Sequence, residues 1–79
     1  MYLTFEMDPF ADAVYVEVRD EPVASTVGLD AQRILDYNAY GEIVGMEFLG
    51  VHRGVDLSNL PYRDELARYF GEHQIRVIA

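Results

Sequence analysis

Apolar and polar residues alternate with a period of two along most of the first 49 positions, and the spacing then shifts to that of a helix. Residues 2–7 place Leu3, Phe5 and Met7 on one face and Tyr2, Thr4 and Glu6 on the other, which predicts a strand. Asp8-Pro9 makes a turn, because proline presets φ and the Asp side chain can satisfy turn amides. Residues 13–19 alternate again, with Val14, Val16 and Val18 inward and Tyr15, Glu17 and Arg19 outward. After the turn Asp20-Glu21-Pro22 comes a weaker strand over Val23–Leu29, where Gly28 suggests an edge or a bulge.

Asn38-Ala39-Tyr40-Gly41 suits a type I turn closed by a left-handed glycine. Continued as an unbroken ladder, that turn sets Asn38 opposite Glu42, Tyr37 opposite Ile43, Leu35 opposite Gly45 and Ile34 opposite Met46. Arg33 then faces Glu47 as a cross-strand charge pair. Residues 50–60 read as an irregular loop and 61–70 as a helix, with Pro61 at its first turn and Gly71 as its C-cap. Tyr62, Leu66, Tyr69 and Phe70 form one apolar stripe, with Arg63, Asp64, Glu65 and Arg68 on the wet side. Residues 74–78 are a candidate last strand, pairing within the chain or with another copy. The expected fold is α+β: a single domain over 1–79, an antiparallel sheet of hairpins with one helix on its Val14/Val16/Ile34/Met46/Phe48 face.

In this register the opposite face carries Tyr15, Leu35, Tyr37 and Ile43, ringed by Glu17, Arg33 and Glu47. A solvated face should be mostly polar, whereas an aromatic and aliphatic centre with a charged rim has the composition of a protein interface. Scattered exposed tyrosine and aliphatic surface is the ordinary alternative. Length supports the interface: a 79-residue chain buries only about 60% of its unfolded surface, and small domains compensate with disulfides, a metal or oligomerisation. Cysteine is absent. A homodimer through these four residues is therefore expected.

Charge narrows the partners further. The formal net charge is −8, and the six basic residues are single arginines with no lysine. Such a field repels polyanions, which argues against nucleic acid and against an anionic membrane surface, and is compatible with a basic protein partner. No apolar run approaches the roughly 18 residues of a membrane span. With no leader-like segment either, the chain reads as a cytoplasmic globular domain.

Candidate chemistry is sparse. Asp8 and Asp12 flank a turn without the spacing of a calcium loop, and a self-capped Asp-Pro turn accounts for them. His52 and Asp56 stand four apart near the helix entrance and His73 at its exit, with no HExxH-type or paired-histidine motif. No nucleophile elbow or phosphate-cradling glycine loop occurs. Asp36 falls on the helix-facing side, where it either bonds the Asn38 turn or is a buried carboxylate of functional interest. No catalytic set, metal site or cofactor is implied.

The box Asp8-Pro9-x-Ala11-Asp12-Ala13-Val14-Tyr15-Val16, then Pro22-Val23-Ala24, then Asp36-Tyr37-Asn38-x-x-Gly41-x-Ile43-Val44-Gly45-Met46-Glu47, resembles the small bacterial family catalogued as domain of unknown function 2283. The resemblance covers about residues 4–50. It implies a compact α+β domain of prokaryotic, cytoplasmic type, and it carries no activity. The family usually has an acidic or polar residue where this chain has Phe10, which weakens any ligand role for that turn.

Two functions remain in view. The first is a non-enzymatic, self-associating interaction module using Tyr15, Leu35, Tyr37 and Ile43. The second is a small-molecule or metal-binding protein, or an enzyme, using Asp8, Asp12, Asp36, His52 or Asp56 at a dimer cleft.

Overall fold

The computed structural model describes residues 3–79, so Tyr2 lies outside the described residues. Strands β1 (Thr4–Asp8), β2 (Ala13–Glu17), β3 (Ser25–Asp30), β4 (Arg33–Tyr37) and β5 (Ile43–Leu49) precede a 3-10 turn (Val51–Arg53) and helix α1 (Arg63–Glu72). They form one sheet in the order β1-β2-β5-β4-β3, with every neighbouring pair antiparallel. The hairpin β1–β2 and the meander β3–β4–β5 thus join where β5 returns beside β2. The expected α+β architecture is present.

One face of the sheet is closed by α1 and by the loop before it. Val14, Val16, Met46 and Phe48 project into a core completed by Val51, Val55, Leu57, Leu66 and Phe70. Leu66 and Phe70 are fully buried, each stabilising the packed layer by roughly 1.5–3 kcal/mol. Phe48 meets Phe70 edge to face at 5.1 Å, and Phe5 stacks on Tyr69 at 3.9 Å.

The hairpin after Asn38 forms as its residues require. Gly41 takes φ 80, the Asn38 side chain accepts the amides of Tyr40 and Glu42, and Asn38 N donates to the Glu42 carbonyl. Beyond Tyr37↔Ile43 the expected register fails. The next pairs are Asp36↔Gly45, Leu35↔Met46, Ile34↔Glu47 and Arg33↔Phe48. Val44 is the extra residue of a β-bulge, and its carbonyl takes the amides of both Val18 and Arg19. A single inserted residue reverses the face assigned to everything beyond it. Leu35 and Arg33 consequently face the core, and Ile34 and Asp36 face away from it.

Arg33 makes no cross-strand pair with Glu47. Arg33 is 7% exposed, and its guanidinium reaches under the sheet to Asp30 (2.9 Å), Asp56 (3.5 Å) and the carbonyls of Asp56 and Ser58. Asp56 in turn accepts the Ser58 amide and hydroxyl. One buried arginine thereby pins the loop that covers the β4–β5 end of the core.

The helix runs two residues later than its sequence suggests. Tyr62, in the left-handed region at φ 60, precedes it, and Pro61 stands outside. Gly71 lies within the helix. The chain leaves through Gln74 at φ 60, with Ile75 N bonded to the Phe70 carbonyl and Gln74 N to that of Gly71. This is a Schellman ending with glutamine where glycine is usual. The tail stays within the chain: Val77 forms a parallel bridge with Val55, backed by Val55 N to Arg76 O and Ile78 N to Val55 O. It adds no strand to the sheet.

Candidate functional site

The four residues expected to form an interface do not share a surface. Leu35 is 6% exposed and part of the core, and Tyr37 and Ile43 pack against that core from the same side. Tyr15 alone faces outward. Its hydroxyl donates to Asp36 Oδ2 at 2.8 Å, and Thr26 donates to Asp36 Oδ1 at 2.7 Å. Gly45 lies beneath this bridge, where a Cβ would fall 1.9 Å from the tyrosine oxygen. Gly45 is thus explained by the close approach of Tyr15. Asp36 is neither bonded to the Asn38 turn nor buried in the core. Desolvation, the Asp36 hydrogen bond and neighbouring carboxylates push the Tyr15 hydroxyl up to about 12.

Of the five residues in the ligand-binding alternative, Asp8, Asp12 and His52 come together, while Asp36 and Asp56 lie elsewhere. They line an open groove of about 480 Å³ between the β1–β2 loop, the 3-10 turn and the chain leaving α1. Asp8 Oδ1 accepts the amides of Phe10 and Ala11, both at 3.1 Å, which closes the loop as an Asx turn. Phe10 sits at the tip of that loop, 100% exposed. Asp12, at φ 54, ties the loop to the 3-10 turn: its carboxylate accepts His52 N and pairs with His52 Nδ1, and its carbonyl accepts Val51 N at 3.1 Å. The bond to the His52 side chain holds the Asp12 carboxyl below the usual carboxylate value.

The groove's other wall was not legible in the sequence. His73, Gln74, Ile75 and Arg76 line it from just beyond α1. His73 Nδ1 lies 2.9 Å from the Tyr69 carbonyl and its ring stacks on Tyr69 at 4.0 Å. No spacing rule links His52 to His73, because a whole helix separates them. Among the described residues, no three histidine, aspartate or glutamate side chains converge closely enough to hold a metal ion. No serine, threonine, cysteine or lysine is part of the groove lining.

The second surface feature is the edge strand β3. All six of its residues, Ser25 to Asp30, are exposed, and Val27 lies 49% open on the side where Leu35 is buried. The covering layer stops short of it. Val23 and Leu29 are exposed alongside.

An antiparallel sheet of these hairpins, closed on one face by a single helix, defines a small α+β domain. The chain belongs to the family of proteins of unknown function DUF2283, whose pattern matches residues 5–51, the five strands and the start of the 3-10 turn. No curated protein and no solved structure matches the chain. Among the described residues no helix is long and apolar enough to cross a membrane.

Proposed function

We propose that this domain is a non-enzymatic interaction module that associates with a second copy of itself through the β3 edge. The observation that carries the reading is the six-residue exposed strand with Val27 uncovered beside it. An unpaired strand edge is a template for another strand, and proteins that stay monomeric blunt it with lysine, proline or a central bulge. Here the irregularity falls at the far end, between Gly28 and Asp30, and no lysine or proline interrupts Ser25–Asp30.

Charge supports self-pairing. Antiparallel pairing about a two-fold axis at Val27, which keeps like faces together, sets Val27 opposite itself and Asp30, the strand's sole charged residue, opposite Ala24 of the second copy. No like charges then meet across the new ladder. Tyr15, Leu35, Tyr37 and Ile43 have no part in this reading, since they share no surface and Leu35 is core.

Sedimentation equilibrium from about 5 to 500 µM protein tests it, a range spanning roughly 7 down to 4.5 kcal/mol of association free energy. Wild type should show a monomer–dimer equilibrium that salt strengthens, because each copy carries −8. Val27→Lys should abolish the dimer while leaving monomer stability within about 0.5 kcal/mol. A wild type monomeric throughout sinks the proposal, and so does a dimer that survives Val27→Lys.

A further inference from the structure

We propose that the groove beside the β1–β2 loop is a binding site for small carboxylates carrying an apolar body. This goes beyond the self-association reading and does not depend on it. The first argument is which polar groups are already engaged. Asp8 is occupied by two loop amides, and Asp12 by the backbone and ring of His52. Asp8 itself remains exposed through its other oxygen, and Asp12 is half-buried.

The remaining groups are of the opposite character. At both histidines Nδ1 faces an oxygen acceptor, the Asp12 carboxylate for His52 and the Tyr69 carbonyl for His73. An acceptor there fixes the proton on Nδ1 and orients the ring, so that Nε2 is the atom left to meet a ligand. Protonated, each Nε2 is a cationic N–H donor. Arg76 adds a guanidinium with one hydrogen bond among the described residues, to the Arg53 carbonyl at 3.3 Å. A guanidinium fork matches a planar carboxylate in a way it does not match a neutral amide.

The second argument is shape. At about 480 Å³ the groove falls in the range of small-molecule sites, and Met7, Pro9, Val51 and Ile75 give it an apolar lining beside the donors. The lining sets three cationic or protonatable side chains, His52, His73 and Arg76, against the two carboxylates, whereas the chain as a whole carries a net −8.

The test uses 4-hydroxybenzoate as probe and 4-hydroxybenzamide as its neutral isostere, followed through the histidine ring resonances of the intact protein by NMR at about pH 6. The carboxylate should shift both the His52 and His73 signals saturably, with Kd below about 1 mM, and the amide should bind at least about tenfold more weakly. Arg76→Gln should weaken the carboxylate by about tenfold. The proposal is overturned by no saturable shift, by equal binding of the amide, or by shifts that spare both histidines. Should Arg76→Gln fail to fold, the contrast between acid and amide on the wild-type protein still decides.

Discussion

Tyr15 on β2 and Asp36 on β4 are hydrogen-bonded at 2.8 Å across the intervening strand β5, and they can meet only because β5 carries Gly45 at the crossing point. An added Cβ would sit 1.9 Å from the tyrosine oxygen and 2.6 Å from Cζ, so the ring would have to lift away. Gly45→Ala should therefore break the Tyr15–Asp36 bond and destabilise the protein by about 1–2 kcal/mol. Tyr15→Phe alone should cost about 1 kcal/mol. In chemical denaturation the double variant should be less destabilised than the sum, since both changes remove one contact. Strict additivity would show that Gly45 serves some other purpose.

The same bridge makes stability fall in strong alkali. The Tyr15 hydroxyl is raised to about 12, above its unfolded value near 10, so the folded state holds a proton that the unfolded state releases. Its contribution is complete below pH 10 and is lost as pH rises toward 12. Ultraviolet titration of tyrosinate should show Tyr15 ionising late, and Tyr15→Phe should flatten the decline in stability between pH 10 and 12.

At the acid end the sign is reversed. Asp12 is depressed by its bond to His52, Asp30 by Arg33, and Asp56 by Ser58. Each contributes stability present above the unfolded value near 3.8 and lost as pH falls through the lowered folded value. Asp12→Asn keeps a residue suited to φ 54 while removing the charge. That variant should lose less stability than wild type on acidification below pH 4. An unchanged acid limb would mean that the Asp12–His52 pair contributes nothing in solution.

Arg33 is the side chain on which the loop 56–58 depends. Arg33→Met should cost about 2–3 kcal/mol, because the Asp56 and Ser58 carbonyls lose their buried donor. Arg33→Lys should recover only part of this, since an ammonium cannot span both carbonyls and the Asp30 carboxylate. Hydrogen exchange should show the loosening first at Val55 and Leu57, whose amides pair with the tail.

Gln74 occupies a left-handed position at the helix end that glycine adopts without a Cβ penalty. Gln74→Gly should raise stability by about 0.5 kcal/mol, and Gln74→Val should lower it by 1 kcal/mol or about that. Thermal melts of the two variants distinguish strain at this position from a side-chain role.

The sequence by itself determined the strands, their turns and the helix stripe. These are local: Asp8 caps its own loop, Asn38 and Gly41 close their own hairpin, and Leu66 and Phe70 fall on one helical face by spacing alone. Which way β4 faces was decided by the tertiary structure. Leu35 and Ile34 are equally apolar neighbours, so period-two alternation accepts either orientation, and the single extra residue at Val44 makes the choice. Glycine inside a strand pattern at Gly45 was the available sign of a bulge or a close approach. The Arg33 hub and the pairing of His52 and His73 around one groove followed from packing as well. They join residues more than 20 positions apart, and no local propensity encodes how α1 docks or where the chain leaves it.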